Sequence, residues 1–187
     1  PPVIAAYTAS RGMGGRDKIQ MQCIAYSADG ARTFAKYAEN PVLGDSRVLA
    51  RGSDSARDPK LFWFSPTRGR DPHARDGHWV MVLFEGKSLN IYTSDNLRDW
   101  EKHGHIDGFH ECPELFPLAV DGDPEDTRWV FWGANGTYRL GAFDGATFQS
   151  DEPALRYDWG GSSYAAQTWS DVPSRDGRRI QIAWLRV

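Results

Sequence analysis

The stretch Ala25-Tyr26-Ser27-Ala28-Asp29-Gly30-Ala31-Arg32-Thr33-Phe34-Ala35-Lys36 is echoed 66 residues later by Ile91-Tyr92-Thr93-Ser94-Asp95-Asn96-Leu97-Arg98-Asp99-Trp100-Glu101-Lys102. Tyr, Asp, Arg and Lys coincide, and Ser/Thr and Phe/Trp replace one another. A shorter echo is Phe143-Asp144-Gly145-Ala146-Thr147-Phe148. Each copy follows an apolar run, turns at Asp-Gly or Asp-Asn, and re-enters with an aromatic residue. That is the pattern of a β-hairpin whose aromatic fills the same hole in each repeat. Units of several strands that recur along a chain favour propeller blades over a plain sandwich.

Outward from these hairpins, short apolar runs alternate with turn signals. They predict strands near Val3–Thr8, Ile19–Tyr26, Lys60–Phe64, His78–Phe84, Leu89–Thr93, Glu114–Leu118, Arg128–Gly133, Thr137–Phe143, Tyr164–Trp169 and Arg179–Leu185. Ile19, Met21 and Cys23 alternate with Gln20 and Gln22, the period of a half-buried strand. The run His78–Phe84 is almost continuously apolar, as for a strand covered on both faces. No segment has a sustained helical period with caps. The fold class is therefore all-β. At about four strands per blade the chain holds two to three blades of a partial propeller. Such an arc leaves strand edges open, so self-association is expected.

Composition agrees. The 19 Gly and 11 Pro supply many turns, and 8 Trp, 7 Tyr and 9 Phe favour strands over helices. Most of these aromatics are expected in the core, although some could stack on sugars. A net charge of −3 lacks the basic surplus of a nucleic-acid surface. No apolar run reaches the length of a membrane-spanning helix. Cys23 and Cys112 are too few for a disulfide framework, and their apolar surroundings favour free thiols, with a single bridge left open.

Two clusters could carry chemistry. In Ala56-Arg57-Asp58-Pro59-Lys60, Pro59 marks a strand start and leaves Asp58 at its mouth, with Arg57 beside it to favour the carboxylate. In His110-Glu111-Cys112-Pro113-Glu114-Leu115-Phe116, Glu111 lies between apolar Phe109 and Cys112 just before a strand. Apolar surroundings favour the neutral, proton-donating carboxyl. Paired carboxylates at strand mouths are what glycoside hydrolysis requires. His103 and His105 alternate as metal ligands on a strand would, but no acidic or Cys partner is spaced to complete a site, so a solvated loop is expected.

At these residues the chain resembles glycoside hydrolase family 32, the invertases, levanases, inulinases and other β-fructofuranosidases. Arg57-Asp58-Pro59 looks like its Arg-Asp-Pro motif, and Glu111-Cys112-Pro113-Glu114-Leu115-Phe116 like its Glu-Cys-Pro-Asp-Leu-Phe motif. The likeness continues through Ile24-Ala25-Tyr26-Ser27, Trp79-Val80-Met81-Val82, Ile91-Tyr92-Thr93-Ser94, Tyr138-Arg139-Leu140-Gly141-Ala142-Phe143-Asp144-Gly145, Tyr164-Ala165-Ala166-Gln167-Thr168-Trp169-Ser170-Asp171 and Arg178-Arg179-Ile180-Gln181-Ile182-Ala183-Trp184. The resemblance implies a five-bladed β-propeller with an appended β-sandwich. It implies that Glu111 is the general acid/base and Asp58 the transition-state stabiliser. Arg57, Tyr164 and Trp184 would contact substrate. The implied reaction is retaining hydrolysis of terminal fructosyl bonds in sucrose, inulin or levan, with no metal or other cofactor. Family members often act outside the membrane, which sets an extracellular or periplasmic expectation for the parent enzyme.

The chain departs from the family in one essential respect. The family nucleophile is the Asp of a Trp-Met-Asn-Asp-Pro-Asn-Gly motif, which is absent from residues 1–187. The chain is therefore expected to be part of one catalytic propeller domain, without the first-blade nucleophile, the last blade and the sandwich, and inactive alone. Glu114 stands where the family has Asp. Arg70-Asp71-Pro72 repeats the tripeptide in a polar loop with no apolar strand after it, and is read as a decoy. Two other readings remain open at this stage: a non-catalytic carbohydrate-binding arc, and a five-bladed glycosidase of arabinose or xylose polymers, which the Glu-Cys-Pro cluster fits poorly.

Overall fold

The computed structural model describes residues 2–12, 18–44, 55–67, 76–170, 172 and 178–186. Among these residues there are fourteen strands and no helix. The strands form four antiparallel sheets. The first is β1 (Val3–Arg11), β2 (Ile19–Ser27) and β3 (Ala35–Lys36), in that order. The second is β4 (Ala56–Phe64), β5 (His78–Glu85), β6 (Ser88–Ser94) and β7 (Glu101–Asp107). The third contains β8 (Glu114–Val120), β9 (Asp123–Trp132) and β10 (Thr137–Phe143), with β11 (Phe148–Gln149) and β12 (Leu155–Arg156) both on β10. The fourth is the pair β13 (Ser163–Trp169) and β14 (Ile180–Leu185). The chain is thus all-β, with two sheets of four or more strands between two partial ones. The arrangement is that of propeller blades.

β5 shows why the sheets stack. Val80, Val82 and Phe84 point into one core cluster with Leu115, Phe131 and Phe143 of the third sheet. Met81 and Leu83 point the other way, into a cluster with Ala56 and Tyr92 that Leu43 packs against. Alternate residues of one strand face opposite sides. Both sides here are dry, because a blade lies against each face, and the continuous apolar run follows. β9 repeats the device: Phe131 joins the first cluster, while Val130 and Trp132 join a third one with Phe116 and Ala166. Each fully buried side chain of this size contributes about 1.5–3 kcal/mol.

Polar links join the inner strands. The Gln22 amide donates to the Ala56 carbonyl at 2.6 Å and accepts from the Thr8 hydroxyl at 2.9 Å. The Gln20 side chain accepts from Ala56 N–H at 3.1 Å. These two glutamines, predicted as the polar face of a half-buried strand, are in fact buried. They satisfy backbone groups of the neighbouring blade, so their burial costs little. Glu85 is buried too, held by the Tyr92 hydroxyl and by Lys102 Nζ at 2.7 Å.

The repeated hairpins are real, and their turns use side-chain acceptors. Asp29 Oδ1 accepts from Arg32 and Thr33 N–H, and Asn96 Oδ1 from Arg98 and Asp99 N–H. The donors keep the 66-residue offset, but the acceptor slips by one position, from Asp29 to Asn96 rather than Asp95. Ala31 and Leu97, also at that offset, share a left-handed backbone with φ of 68° and 64°. Asp144 serves the third turn, accepting from Ala146 and Thr147. Trp100 and Phe148 pack on core clusters as predicted, whereas Phe34 stays 45% exposed.

Two local expectations change. β4 begins at Ala56, so Asp58 and Pro59 lie inside the strand rather than before it. Arg57 pairs with Phe84 and Lys60 with Val82, leaving Asp58 and Pro59 opposite Leu83 alone. This is a β-bulge, where proline's missing N–H does no harm. The His103–His105 segment is a strand, β7, not a loop. No cluster of three potential metal ligands occurs among the described residues. Both cysteines are free. The second Arg-Asp-Pro, at 70–72, lies outside the described residues.

Candidate active site

The residues Arg57-Asp58-Pro59-Lys60-Leu61-Phe62 and Glu111-Cys112-Pro113-Glu114-Leu115-Phe116 have the same form, 54 residues apart, with opposite charges at matching places. The fold sets them side by side, at the heads of β4 and β8. Arg57 donates to Glu111 Oε2 from Nε at 3.1 Å and from Nη2 at 2.6 Å. Cys112 N–H donates to Asp58 Oδ2 at 3.1 Å. Lys60 Nζ donates to Glu114 Oε1 at 2.6 Å. At three of the six matching positions, the first motif meets the second across the space between two blades.

Both motifs bend where the chemistry lies. Asp58 has φ 63°, Glu111 φ 29° and Cys112 φ 46°. Non-glycine residues avoid this region, and each such residue costs about 1–3 kcal/mol unless its surroundings hold it. Here they do. Asp58 N–H donates to Thr8 Oγ1 at 3.2 Å. The carbonyls of His110 and Glu111 both accept from Ala134 N–H, at 2.7 and 2.9 Å. Gly133 permits that approach: a Cβ there would lie 2.7 Å from the His110 oxygen.

The Glu111 side chain is 15% exposed and that of Asp58 32%. The sequence reading placed Glu111 among apolar neighbours and assigned Arg57 to Asp58. The structure keeps Arg57 beside Asp58 and adds Glu111 as its nearer partner. Arg57 sits 2.6 Å from Glu111 and 3.7 Å from Asp58, so its guanidinium serves Glu111 first. Arg57 itself lies over the Phe84 ring at 4.8 Å, and His110 packs edge-on to the same ring. With Oε2 taken by Arg57, Glu111 Oε1 has, among the described residues, only His110 Nε2 nearby, at 3.5 Å. Asp58 Oδ1 takes no hydrogen bond among the described residues. One oxygen of each carboxylate is thus held by protein, and the other can meet a ligand.

Cys112 is a structural member of the cluster. Burial, then the Asp58 and Glu111 carboxylates, push its thiol up from 9.0 to about 12. In the folded chain it keeps a proton that the unfolded chain loses near pH 9. Its stabilisation is therefore present below pH 9 and is lost as pH rises toward 12. Iodoacetamide should label Cys112 at pH 8.5 on the order of a thousandfold more slowly in the folded chain than in urea, as its thiolate fraction dictates. Equal rates would contradict the arrangement.

The sequence reading missed the buried rung beneath. Glu114 is fully buried. Besides Lys60 it accepts from Thr168 N–H at 3.3 Å and Thr168 Oγ1 at 2.8 Å, and Arg179 Nη2 approaches to 3.8 Å. Arg179 also covers the Phe116 ring at 3.9 Å. One carboxylate therefore ties β4, β8 and β13 together. The signal was present: Lys60 and Glu114 are opposite charges at the same place in the two motifs, each heading an apolar Leu-Phe run.

Tyr164 and Trp184 lie directly opposite each other on β13 and β14. Arg186 covers the Tyr164 ring at 3.2 Å, and Trp184 is 73% exposed. Trp184, Trp169 and Ile182 line a concavity of about 590 Å³ on this hairpin. Neither predicted aromatic contacts the Arg57–Asp58–Glu111 cluster among the described residues. β13 nonetheless reaches it through backbone, since Ala165 N–H donates to the Ala134 carbonyl at 3.1 Å, and Ala134 holds the Glu111 turn.

Known proteins share this chain's sequence and shape. A levanase of Bacillus subtilis is 38% identical over 98% of the chain and 27% of its own length. An extracellular exo-inulinase of Meyerozyma guilliermondii is 34% identical over 97% of the chain and 35% of its own length. The fructofuranosidase of Schwanniomyces occidentalis, solved with fructose, superposes with a TM-score of 0.75 and 28% identity, over 98% of the chain and 35% of that structure. The chain thus spans about a quarter to a third of these relatives. The family profile described as the N-terminal domain of glycosyl hydrolases family 32 matches residues 2–187. Blade-like sheets, the paired motifs and this match lead to one conclusion: the chain belongs to glycosyl hydrolase family 32 and is a section of its five-bladed β-propeller.

Proposed function

We propose that residues 1–187 supply the acid/base side of a β-fructosidase site, in an enzyme that hydrolyses terminal fructosyl bonds of sucrose or fructans with retention. The observation that carries this reading is the junction of Asp58 and Glu111 through Arg57 and Cys112 at the heads of adjacent inner strands. Glu111 protonates the leaving oxygen through Oε1 and later takes a proton from water. Asp58 accepts sugar hydroxyls through Oδ1 and stabilises the developing charge. Arg57 orients Glu111 and bounds the sugar pocket, with Tyr164 and Trp184 on its β13–β14 side. The fructose held by the Schwanniomyces enzyme and the named substrates of the levanase and inulinase support a fructosyl ligand. The extracellular inulinase supports an extracellular parent.

Double displacement needs a nucleophile about 5–5.5 Å from the acid/base. We assign it to a segment outside residues 1–187, since the Asn-Asp-Pro motif is absent from them. The chain alone is then inactive. Exposed Trp169, Ile182 and Trp184 support its self-association. Incubation with sucrose, inulin and levan should release no fructose. Release that disappears in Glu111→Gln would overturn the assignment of the nucleophile.

A further inference from the structure

A cleft of about 290 Å³ opens between the outer edges of the second and third sheets, where β7 faces β10 and β11. Its walls are His105, Asp107, Arg139 and Ser150, and its apolar part is Ile106 and Phe148. None of these residues belongs to the Arg57–Asp58–Glu111 cluster. Arg139 is the unusual member. Its Nε is buried and has no hydrogen-bond partner among the described residues. Among the described residues its guanidinium meets no carboxylate, only the Phe109 ring at 5.8 Å. That buried Nε is closed to the cleft, so an occupant is met by the other guanidinium nitrogens, which only donate and take no hydrogen bond or ion pair among the described residues.

The remaining walls select the class of occupant. Arg139 only donates, the Asp107 carboxylate only accepts, and His105 does either. His105 Nε2 lies 3.7 Å from Asp107, so both are turned to the same space. An oxyanion would suit Arg139 but would be repelled by Asp107. A sugar residue suits all of them, because each hydroxyl both donates and accepts, while its C–H face can lie on Ile106 and Phe148. The volume is at the lower limit of small-molecule pockets, which fits one sugar unit.

We propose that this cleft is a second saccharide-binding site, which holds one residue of an oligosaccharide through Arg139, Asp107 and His105. The site rests on the chemistry of the cleft; the fructan reading above enters only in the choice of probe.

The test is an NMR titration of the ¹⁵N-labelled chain with the trisaccharide 1-kestose, and separately with inorganic phosphate. Saturable shifts at the Ile106 and Ser150 amides and at Arg139 Nε–H are expected with kestose. Arg139→Met should weaken that binding about tenfold or more, as lost hydrogen bonds to a charged group do. Asp107→Ala should weaken it in the same direction, and because its side chain is 76% exposed this variant folds even if Arg139→Met does not. Asp58→Asn should leave the cleft shifts unchanged. Unaltered affinity in both cleft variants overturns the proposal. So do shifts with phosphate alone, or kestose shifts confined to the Cys112 amide. Cleft shifts with none at Cys112 uphold this site and count against the proposed catalytic one.

Discussion

On the proposed reading, replacement of Glu111 by Gln in a β-fructosidase that includes these residues is expected to lower turnover of sucrose and fructans by about 10²–10⁴-fold, the usual worth of a general acid/base. The amide keeps the size of the side chain and can still meet Arg57, but it has no proton to give. Because Arg57 fixes only Oε2, binding should change far less than turnover. Steady-state kinetics on sucrose and levan check this. A fall in substrate affinity with turnover intact would assign Glu111 to binding and remove it from the chemistry.

The second large effect is on stability. Glu114→Ala should destabilise the chain by about 3–5 kcal/mol, the cost of breaking a buried ion pair from one side. Lys60 and Arg179, each with a side chain only 19% exposed, would lose their common carboxylate, and Thr168 two hydrogen bonds. Glu114→Gln keeps an acceptor for Thr168 and should cost less. Combining Glu114→Leu with Lys60→Met should recover part of the loss, since it removes one of the two stranded charges and leaves Arg179 with its bond to Thr168 Oγ1. Urea unfolding curves measure all three. A Glu114→Ala chain within about 1 kcal/mol of wild type would show that the buried network contributes little.

Those two residues also show what can be read from sequence. Strands that bury a face announce themselves: Ile19–Tyr26 by alternation, His78–Phe84 by continuity because two blades cover it. β7 did not, because Glu101, Lys102, His103 and His105 lie on an exposed outer edge, where no apolar period is required. β3, β11 and β12 have two residues each, too short for any period. The site was legible as two motifs and not as one structure. That Arg57 meets Glu111 more closely than its neighbour Asp58 depends on a residue 54 positions away. The role of Glu114 depends on Thr168 and Arg179, which are distant in sequence. Repeats and motifs carry local information, whereas partners across blades appear only when the blades are assembled.

The most direct test of the catalytic assignment compares leaving groups in the Glu111→Gln enzyme. A leaving group that departs without a proton makes the acid unnecessary. An aryl β-fructofuranoside with an acidic phenol should therefore form the covalent intermediate at close to the wild-type rate in a single turnover, while sucrose loses about 10²–10⁴-fold. Equal losses on both substrates would contradict the account, because Glu111 would then not be the residue that protonates the leaving oxygen.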